Sequence, residues 1–170
     1  MSRVKWGEGT CFTVTLEHRI ADEECIELNQ ELDVLDGKSV LQGKHVLLVE
    51  DNELNAEIAM AILEQSGLIL DRVEDGLACI NRLSEVDADL YDLILMDIQM
   101  PNVNGYEATR RIRQFKNLKK ASIPILAMTA NAFEEDKKMA MEAGMNGHIS
   151  KPIDVNALEN QIINLFKKVS

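Results

Sequence analysis

Five residues at the ends of short apolar runs have the chemistry to handle a phosphoryl group: Glu50, Asp51, Asp97, Thr129 and Lys151. Three carboxylates placed close together would repel one another unless a cation neutralised them. An all-oxygen acidic set suits Mg²⁺, which takes one or two carboxylates together with phosphate oxygens. A threonine hydroxyl and a lysine ammonium both suit phosphoryl oxygens. If these side chains converge, they predict phosphoryl transfer with Mg²⁺.

The strands predicted around these residues would bring them together. Continuous apolar runs end at Val49, Met96 and Thr129, and such runs are typical of strands covered on both faces in a parallel sheet. Shorter strands are predicted at Ile69–Val73 and His148–Ile149. Open α/β sheets bind ligands at the carboxyl ends of their strands, so we expect the five residues to lie at one edge. A lone Asp97 after an apolar run would instead be interpreted as the cap of the following helix.

Helix signals separate the strands. Asn52 and Asp154 are predicted N-caps, and Gly67 and Gly144 are predicted helix ends. Helical spacing predicts that several apolar side chains face the core: Leu54, Ile58, Ala61, Ile62, Leu77, Ile80, Leu83, Met139 and Ala143. A helix over 104–115 is expected to carry a basic outer face of Arg110, Arg111, Arg113 and Lys116. Strand and helix alternate five times, which predicts an α/β fold with a doubly wound, five-stranded parallel sheet.

The first 43 residues do not follow this pattern. Residues 1–24 predict a β-hairpin, since Phe12, Val14 and Leu16 alternate with polar positions after the turn residues Gly7 and Gly9. Residues 25–43 are polar and acidic and are interpreted as a linker, which leaves 44–170 as the main domain. A lone hairpin is marginal in water, so its apolar face is expected to form a homodimer with a second chain.

Composition limits the function classes. The net charge is -11, from 29 acidic and 18 basic residues, which argues against direct contact with nucleic acid. There is no long uninterrupted apolar stretch and no apolar leader, so we expect a cytoplasmic domain without membrane contact. Cys11, Cys25 and Cys79 lack CxxC spacing and are interpreted as reduced structural thiols.

Four motifs together resemble the signature set of response-regulator receiver domains, over residues 44–168. They are Leu47–Asn52, Met96–Pro101 followed by Gly105, Met128–Ala130 and Ser150–Pro152. The resemblance implies a flavodoxin-like, CheY-like (βα)5 fold. It also implies that Asp97 is the nucleophile that becomes an acyl phosphate.

The resemblance assigns the metal ligands as well. Asp51 would hold Mg²⁺, and the backbone carbonyl of Gln99 would contribute another oxygen. Glu50 would help either directly or through water, because both acidic positions are often Asp in the family and the glutamate is longer. The side chains of Gln99 and Asn131 flank the acceptor in the family pattern.

Phosphoryl binding and switching are implied at the remaining positions. Thr129, the Ala130 amide and Lys151 would receive phosphoryl oxygens, and the bond between Lys151 and Pro152 is typically cis in the family. His148 stands where the family commonly has Tyr or Phe, linked with Thr129 in switching. The alternative for His148 is an ordinary surface histidine.

The residues before the main domain bear on the parent protein. The stretch from Gly7 to Leu16 resembles the closing hairpin of the ATP-binding domain of sensor histidine kinases, the alternative being an edge hairpin of the main domain. His18 and His45 lack the setting of kinase phosphoacceptors, and the chain ends soon after its last helix. These features predict the carboxyl-terminal part of a hybrid histidine kinase.

The predicted function is therefore a phosphorelay receiver. It would take a phosphoryl group from a phosphohistidine of a histidine kinase onto Asp97, then pass it to a histidine phosphotransfer protein or to water. Two alternatives stay open: a stand-alone α/β phosphatase, and a binding module that is not phosphorylated. Only self-phosphorylation and autodephosphorylation would belong to this domain as enzymatic chemistry.

Overall fold

The computed structural model describes residues 40–130, 134–151 and 153–169. Within these ranges lie five strands: β1 (His45–Val49), β2 (Ile69–Val73), β3 (Leu93–Asp97), β4 (Ile125–Thr129) and β5 (Gly147–Ser150). They form one sheet in the order β2-β1-β3-β4-β5, and all four pairings are parallel. The predicted doubly wound sheet is confirmed. The predicted hairpin, most of the predicted linker, Cys11, Cys25, Asn131 and Pro152 lie outside the described residues.

Six helices connect and follow the strands in the described part of the chain. They are α1 (Glu53–Gln65), α2 (Gly76–Glu85), α3 (Gly105–Arg113), α4 (Leu118–Ser122), α5 (Glu134–Ala143) and α6 (Val155–Val169). Side-chain caps explain where five of them begin, because each of five residues accepts a backbone N–H of the first turn: Asn52, Asp75, Asn104, Asn117 and Asp154. The short helix α4 was not predicted, since its five residues contain no apolar periodicity.

The sheet separates two hydrophobic cores. Alternate residues of β1, β3 and β4 face α2 and α3, where they pack with Cys79, Leu83, Ala108 and Ile112. The other residues face α1 and α6, where they pack with Ala56, Leu63, Leu158 and Ile162. Every residue of β3 and β4 is buried. Helices on both faces explain why these strands are continuous apolar runs instead of alternating ones.

Several side chains predicted to face the core are exposed, although Leu83 and Ala143 are buried and Ile80 packs against the core as predicted. Helix α1 buries Ala56, Ala59 and Leu63, while Leu54 and Ile58 are 63% and 51% exposed. The helix is apolar around much of its circumference, so its sequence does not single out one face. Its small alanines face the sheet. Leu77 and Met139 are likewise exposed.

Arg113 is also not on the predicted basic outer face. Its guanidinium is half-buried and donates to the carbonyls of Gly144 (2.9 Å), Ala121 (2.7 Å) and Ile123 (2.8 Å), and to Oδ1 of Asn146 (3.0 Å). Burial lowers the pKa of Arg113. The residue joins α3 to the end of α5 and to the segment entering β4, whereas Arg110 and Arg111 are exposed.

A membrane span is not found among the helices that the structure describes, because none is both long and apolar enough.

Candidate functional site

The five candidate residues lie at the carboxyl edge of the sheet. Asp97 and Thr129 are the last residues of β3 and β4, and Glu50 and Lys151 directly follow β1 and β5. Backbone hydrogen bonds continue the strand pairing to this edge, since the N–H of Lys151 donates to the carbonyl of Thr129 at 2.7 Å. The sheet order makes β1, β3 and β4 consecutive neighbours. The topology therefore brings these residues to one edge of the sheet, as predicted from their positions in the sequence.

Three carboxylates form a compact acidic cluster at this edge. One oxygen each from Glu50, Asp51 and Asp97 lies within 4.8 Å of the others. Glu50 and Asp97 are buried, with 2% and 5% of their surface exposed, while Asp51 is exposed at the rim. The predicted convergence of the acidic residues is thus observed.

Lys151 is the cation that contacts this cluster. Its Nζ donates to Oδ2 of Asp97 at 2.7 Å and to Oε2 of Glu50 at 2.5 Å. Burial alone would lower the pKa of Lys151, but its bonds to Asp97 and Glu50 outweigh burial, so the pKa is raised. The ammonium therefore stays charged at neutral pH.

Asp97 is electrostatically unsatisfied despite this partner. Burial raises its pKa, and the bonds from Lys151 and from the backbone N–H of Gln99 do not offset burial, while the charge of Glu50 raises the pKa further. The three carboxylates outnumber the two nearby cations, the ammonium of Lys151 and the guanidinium of Arg72, so the cluster keeps an excess of negative charge. Such a site favours a further cation.

Two residues that the sequence did not single out hold the acidic pair. Asn55, in the first turn of α1, donates from Nδ2 to Oε1 of Glu50 at 3.0 Å. The guanidinium of Arg72 donates to the carbonyl of Glu50 at 3.3 Å and approaches that of Asp51 at 3.5 Å. An arginine inside the short strand β2 is a signal that could have identified the second of these residues.

The loop after Asp97 is packed against Asp97 itself. The backbone N–H of Gln99 donates to Oδ1 of Asp97 at 3.1 Å. A Cβ on Gly105 would lie 2.3 Å from the carbonyl oxygen of Asp97, so only glycine lets α3 begin this close to the strand. Close packing of α3 against the end of β3 therefore explains the glycine of this motif.

The remaining candidates lie on β4 and β5 or directly after β4. Thr129 is buried next to β3, and Ala130 is exposed. His148 is half-buried on the edge strand β5, and its register partner on β4 is Ala127, two residues before Thr129.

A cavity of about 170 Å³ opens beside the cluster, lined by Glu50, Asn55, Ile58, Lys151 and Ile153. The exposed Leu54 lies on the same helix as two of these residues, one turn or less away. The cavity is therefore lined by charged side chains of the acidic cluster on one side and by apolar side chains on the other.

The chain matches the family model of the response regulator receiver domain over residues 46–163. It belongs to the response regulator receiver-domain family. A curated relative, the autoinducer 2 sensor kinase/phosphatase LuxQ of Vibrio parahaemolyticus, is 38% identical over 166 residues. That match covers 98% of this chain but only 18% of the relative's length.

Two solved structures share the fold at appreciable identity. The receiver domain of the sensor histidine kinase PA1611 from Pseudomonas aeruginosa, with a magnesium ion coordinated in its active site cleft, is 37% identical with a TM-score of 0.62. The match covers 71% of this chain and 94% of that one. The co-crystal structure of the Saccharomyces cerevisiae phosphotransfer protein Ypd1 with the receiver domain of Ssk1 gives 30% identity, a TM-score of 0.65 and coverages of 72% and 88%.

Proposed function

We propose that this receiver domain accepts a phosphoryl group from a phosphohistidine onto Asp97. The observation that carries the proposal is the buried Asp97 carboxylate, bonded by Lys151 at 2.7 Å within an acidic cluster at the sheet's carboxyl edge. A carboxylate oxygen of Asp97 would form a bond to phosphorus as the bond from phosphorus to the histidine nitrogen breaks. The electron pair stays on that nitrogen, which takes up a proton.

The neighbouring groups would hold the phosphoryl oxygens. Lys151 stays protonated and already lies against Asp97, so its ammonium can pair with an oxygen delivered there. The Thr129 hydroxyl and the Ala130 amide, at the end of the adjacent strand, are proposed as two further donors. These donors need little rearrangement, because strand pairing fixes the backbone that carries them.

Mg²⁺ is the proposed cofactor, and the donor set fits it. Carboxylate oxygens of Asp51 and Asp97 lie in the acidic cluster, and with the proposed backbone carbonyl of Gln99 they would form the hard oxygen set that Mg²⁺ prefers. Glu50, whose two oxygens are held by Asn55 and Lys151, is proposed to contact the ion directly or through water. Bound Mg²⁺ would neutralise charge on the phosphoryl group.

The proposed partners are a histidine kinase as donor and a histidine phosphotransfer protein as acceptor. Similarity to the receiver of a sensor kinase and to a receiver solved with Ypd1 supports both kinds of partner. The exposed Leu54 and Ile58 give α1 an apolar face beside the cavity, which suits docking of a helix that carries the histidine.

We also propose that the domain is the receiver part of a larger hybrid histidine kinase in the cytoplasm, where such a kinase has access to ATP. The match to LuxQ extends over 98% of this chain, so it includes residues before the receiver. This extent supports assigning residues 1–24 to the kinase part and 25–43 to a linker.

Labelling with a small phosphodonor tests the acceptor. With Mg²⁺ and acetyl phosphate, intact-mass measurement should show one added phosphoryl group. Asp97→Ala should show none, whereas Asp89→Ala, an exposed aspartate paired with Lys119, should label like the unmodified chain. Unchanged labelling of Asp97→Ala would overturn the assignment. Sustained turnover of an unrelated phosphoester would support the phosphatase alternative, and absence of Mg²⁺ binding would support the binding module.

The proposed switch is tested with beryllofluoride, a phosphoryl mimic. Saturable amide NMR shifts that spread from Asp97 through Thr129 to His148 are expected if His148 takes part. Shifts confined to the metal site would make His148 a bystander.

The proposed homodimer through the hairpin needs a separate measurement. Sedimentation velocity should show concentration-dependent association that disappears when residues 1–24 are removed. Identical behaviour with and without these residues would rule the hairpin out as an interface.

A further inference from the structure

One aspartate outside the acidic cluster holds two structural elements at once. Asp75 caps α2, because its Oδ1 accepts the backbone N–H of Ala78 at 2.7 Å. Its Oδ2 accepts Nδ2 of Asn102 at 2.8 Å. Asn102 lies in the loop between β3 and α3, five residues after Asp97. The start of α2 and the loop that follows the acceptor are therefore joined by a single carboxylate.

A backbone contact reinforces this connection. The N–H of Gly76 donates to the carbonyl of Val103 at 3.2 Å. A Cβ at position 76 would lie 2.4 Å from that oxygen, so glycine is needed for the approach. Val103 is itself buried in the core between the sheet, α2 and α3. The backbone bond fixes the end of the loop, and the side-chain bond fixes the residue before it.

Asn102 has a conformation suited to this contact. Its φ is +61°, the one positive φ of a non-glycine residue among those that the structure describes. Asparagine adopts this left-handed region more readily than most residues. The bonds from Ala78 and Asn102 lower the pKa of Asp75, so its carboxylate is charged at neutral pH.

We propose that Asp75 and Asn102 are positioning residues for the metal site. The loop is anchored at one end by the strand residue Asp97 and near the other by Asn102, and Gln99 lies between them. The pair would restrict the loop so that the Gln99 carbonyl and the Asp97 carboxylate are already oriented for Mg²⁺. The inference rests on the proposed function, since it concerns the same Mg²⁺ site.

Two substitutions remove the bond while sparing each residue's other role. Asn102→Gly loses the side-chain donor but tolerates the positive φ. Asp75→Ser keeps an N-cap for α2 but is too short to reach Asn102. Asn117→Gly is the matched control, because it makes the same substitution at a helix cap far along the chain from the site.

The measurement is a Mg²⁺ titration followed by backbone amide NMR shifts, together with acetyl phosphate labelling at saturating Mg²⁺. We expect half-saturation for both variants at about three- to ten-fold higher Mg²⁺ concentration. Labelling at saturation should stay within about two-fold of the unmodified chain. The double variant should be no worse than either single one, because both remove the same bond.

Half-saturation unchanged in both variants, or shifted equally in Asn117→Gly, would overturn the inference. Additive effects in the double variant would also overturn it, since the two residues would then act separately. If the unmodified chain itself does not bind Mg²⁺, the proposed function fails instead. The two failures are therefore distinguishable in one experiment.

Discussion

Two polar clusters occupy opposite ends of the same sheet. At the carboxyl edge, Glu50, Asp51 and Asp97 share the ammonium of Lys151. Near the amino edge lies a second cluster, here called the amino-edge network, formed by Lys44, His45, Asp71, Arg82, Tyr91 and Asp92. Both clusters contain aspartates and lysine, but their charges are arranged differently.

In the amino-edge network each carboxylate has a basic side chain as its partner. Tyr91 donates to Oδ2 of Asp71 at 2.6 Å, Arg82 donates to the same oxygen at 3.1 Å, and Lys44 bonds Asp92 at 2.8 Å. The hydrogen bond from Tyr91 is the largest influence on Asp71 and, with Arg82 and His45, lowers its pKa against the effect of burial. At the carboxyl edge, burial raises the pKa of Asp97 instead.

The pKa values of Asp71 and Asp97 are shifted in opposite directions, which distinguishes a carboxylate that stabilises the fold from one that is suited to binding or chemistry. A lowered pKa means that folding stabilises the ionised Asp71, so this residue contributes to stability at neutral pH. A raised pKa means that folding opposes ionisation of Asp97, so stability is lost as pH rises through the raised pKa. Because folding opposes the charge of Asp97, a cation bound beside it would stabilise the ionised carboxylate.

The largest expected effect separates the two lysines. Lys151→Met should slow labelling by acetyl phosphate about 10²- to 10³-fold, because the proposed donor to the phosphoryl oxygens is lost. Lys44→Met should leave the labelling rate within about two-fold, and its half-exposed ion pair should cost at most about 1 kcal/mol of unfolding free energy. Equal slowing in both variants would break the distinction between the clusters.

A second pair of variants should change stability in opposite directions. Without Mg²⁺, Asp97→Asn should raise the unfolding free energy, because burial and the charge of Glu50 oppose ionisation of Asp97 more than the bond from Lys151 favours it. Asp71→Asn should lower it by about 1 kcal/mol, allowing for the partial exposure of the side chain. Urea unfolding at neutral pH measures both changes. Destabilisation of similar size in both would contradict the contrast.

The dependence of the unfolding free energy on pH in the acid range tests the contribution of Asp71 further. Because its pKa in the folded chain lies below the ordinary 3.8, its contribution is complete above about pH 5 and is lost as pH falls through the lowered value. Tyr91→Phe removes the largest lowering influence and should cost about 1 kcal/mol near neutral pH. That deficit should shrink at about pH 3 in urea unfolding. A deficit independent of pH would assign the cost to packing alone.

The smallest effect is expected for an ion pair whose side chains are mostly exposed. Lys119 and Asp89 bond at 2.8 Å, but their side chains are 68% and 73% exposed. Lys119→Ala should change the unfolding free energy by less than about 0.5 kcal/mol. A change above about 1 kcal/mol, measured by the same unfolding method, would show that short distance outweighs exposure in this protein.

The architecture and the convergence of the candidate site residues could be predicted from sequence. Strands buried on both faces give continuous apolar runs, and the ends of these runs locate Asp97 and Thr129. The strand predicted from Ile123 begins at Ile125 in the structure. Pro124 directly precedes the strand. It has no backbone N–H to donate, but its carbonyl accepts the backbone N–H of Ile94.

The supporting contacts could not be predicted. Arg72 and Asn102 act on residues that are distant in sequence or lie in another loop, so their partners appear only once the strands are placed side by side. The exposed face of α1 was missed for a related reason. Its periodicity fits more than one orientation, and only the packing of Ala56 and Ala59 on the sheet selects one.

The position of Asp97 at the end of the central strand has a consequence for exchange behaviour. Strand β3 pairs on both sides, whereas β5 lies at the edge of the sheet with one neighbour. Amide protons of β3 should therefore exchange with solvent only through global unfolding, while those of β5 should exchange through smaller openings. Asp97, the proposed acceptor, is therefore expected to lie in the part of the fold that opens least often. Lys151, just beyond β5, is expected to move away from Asp97 whenever the edge strand opens locally.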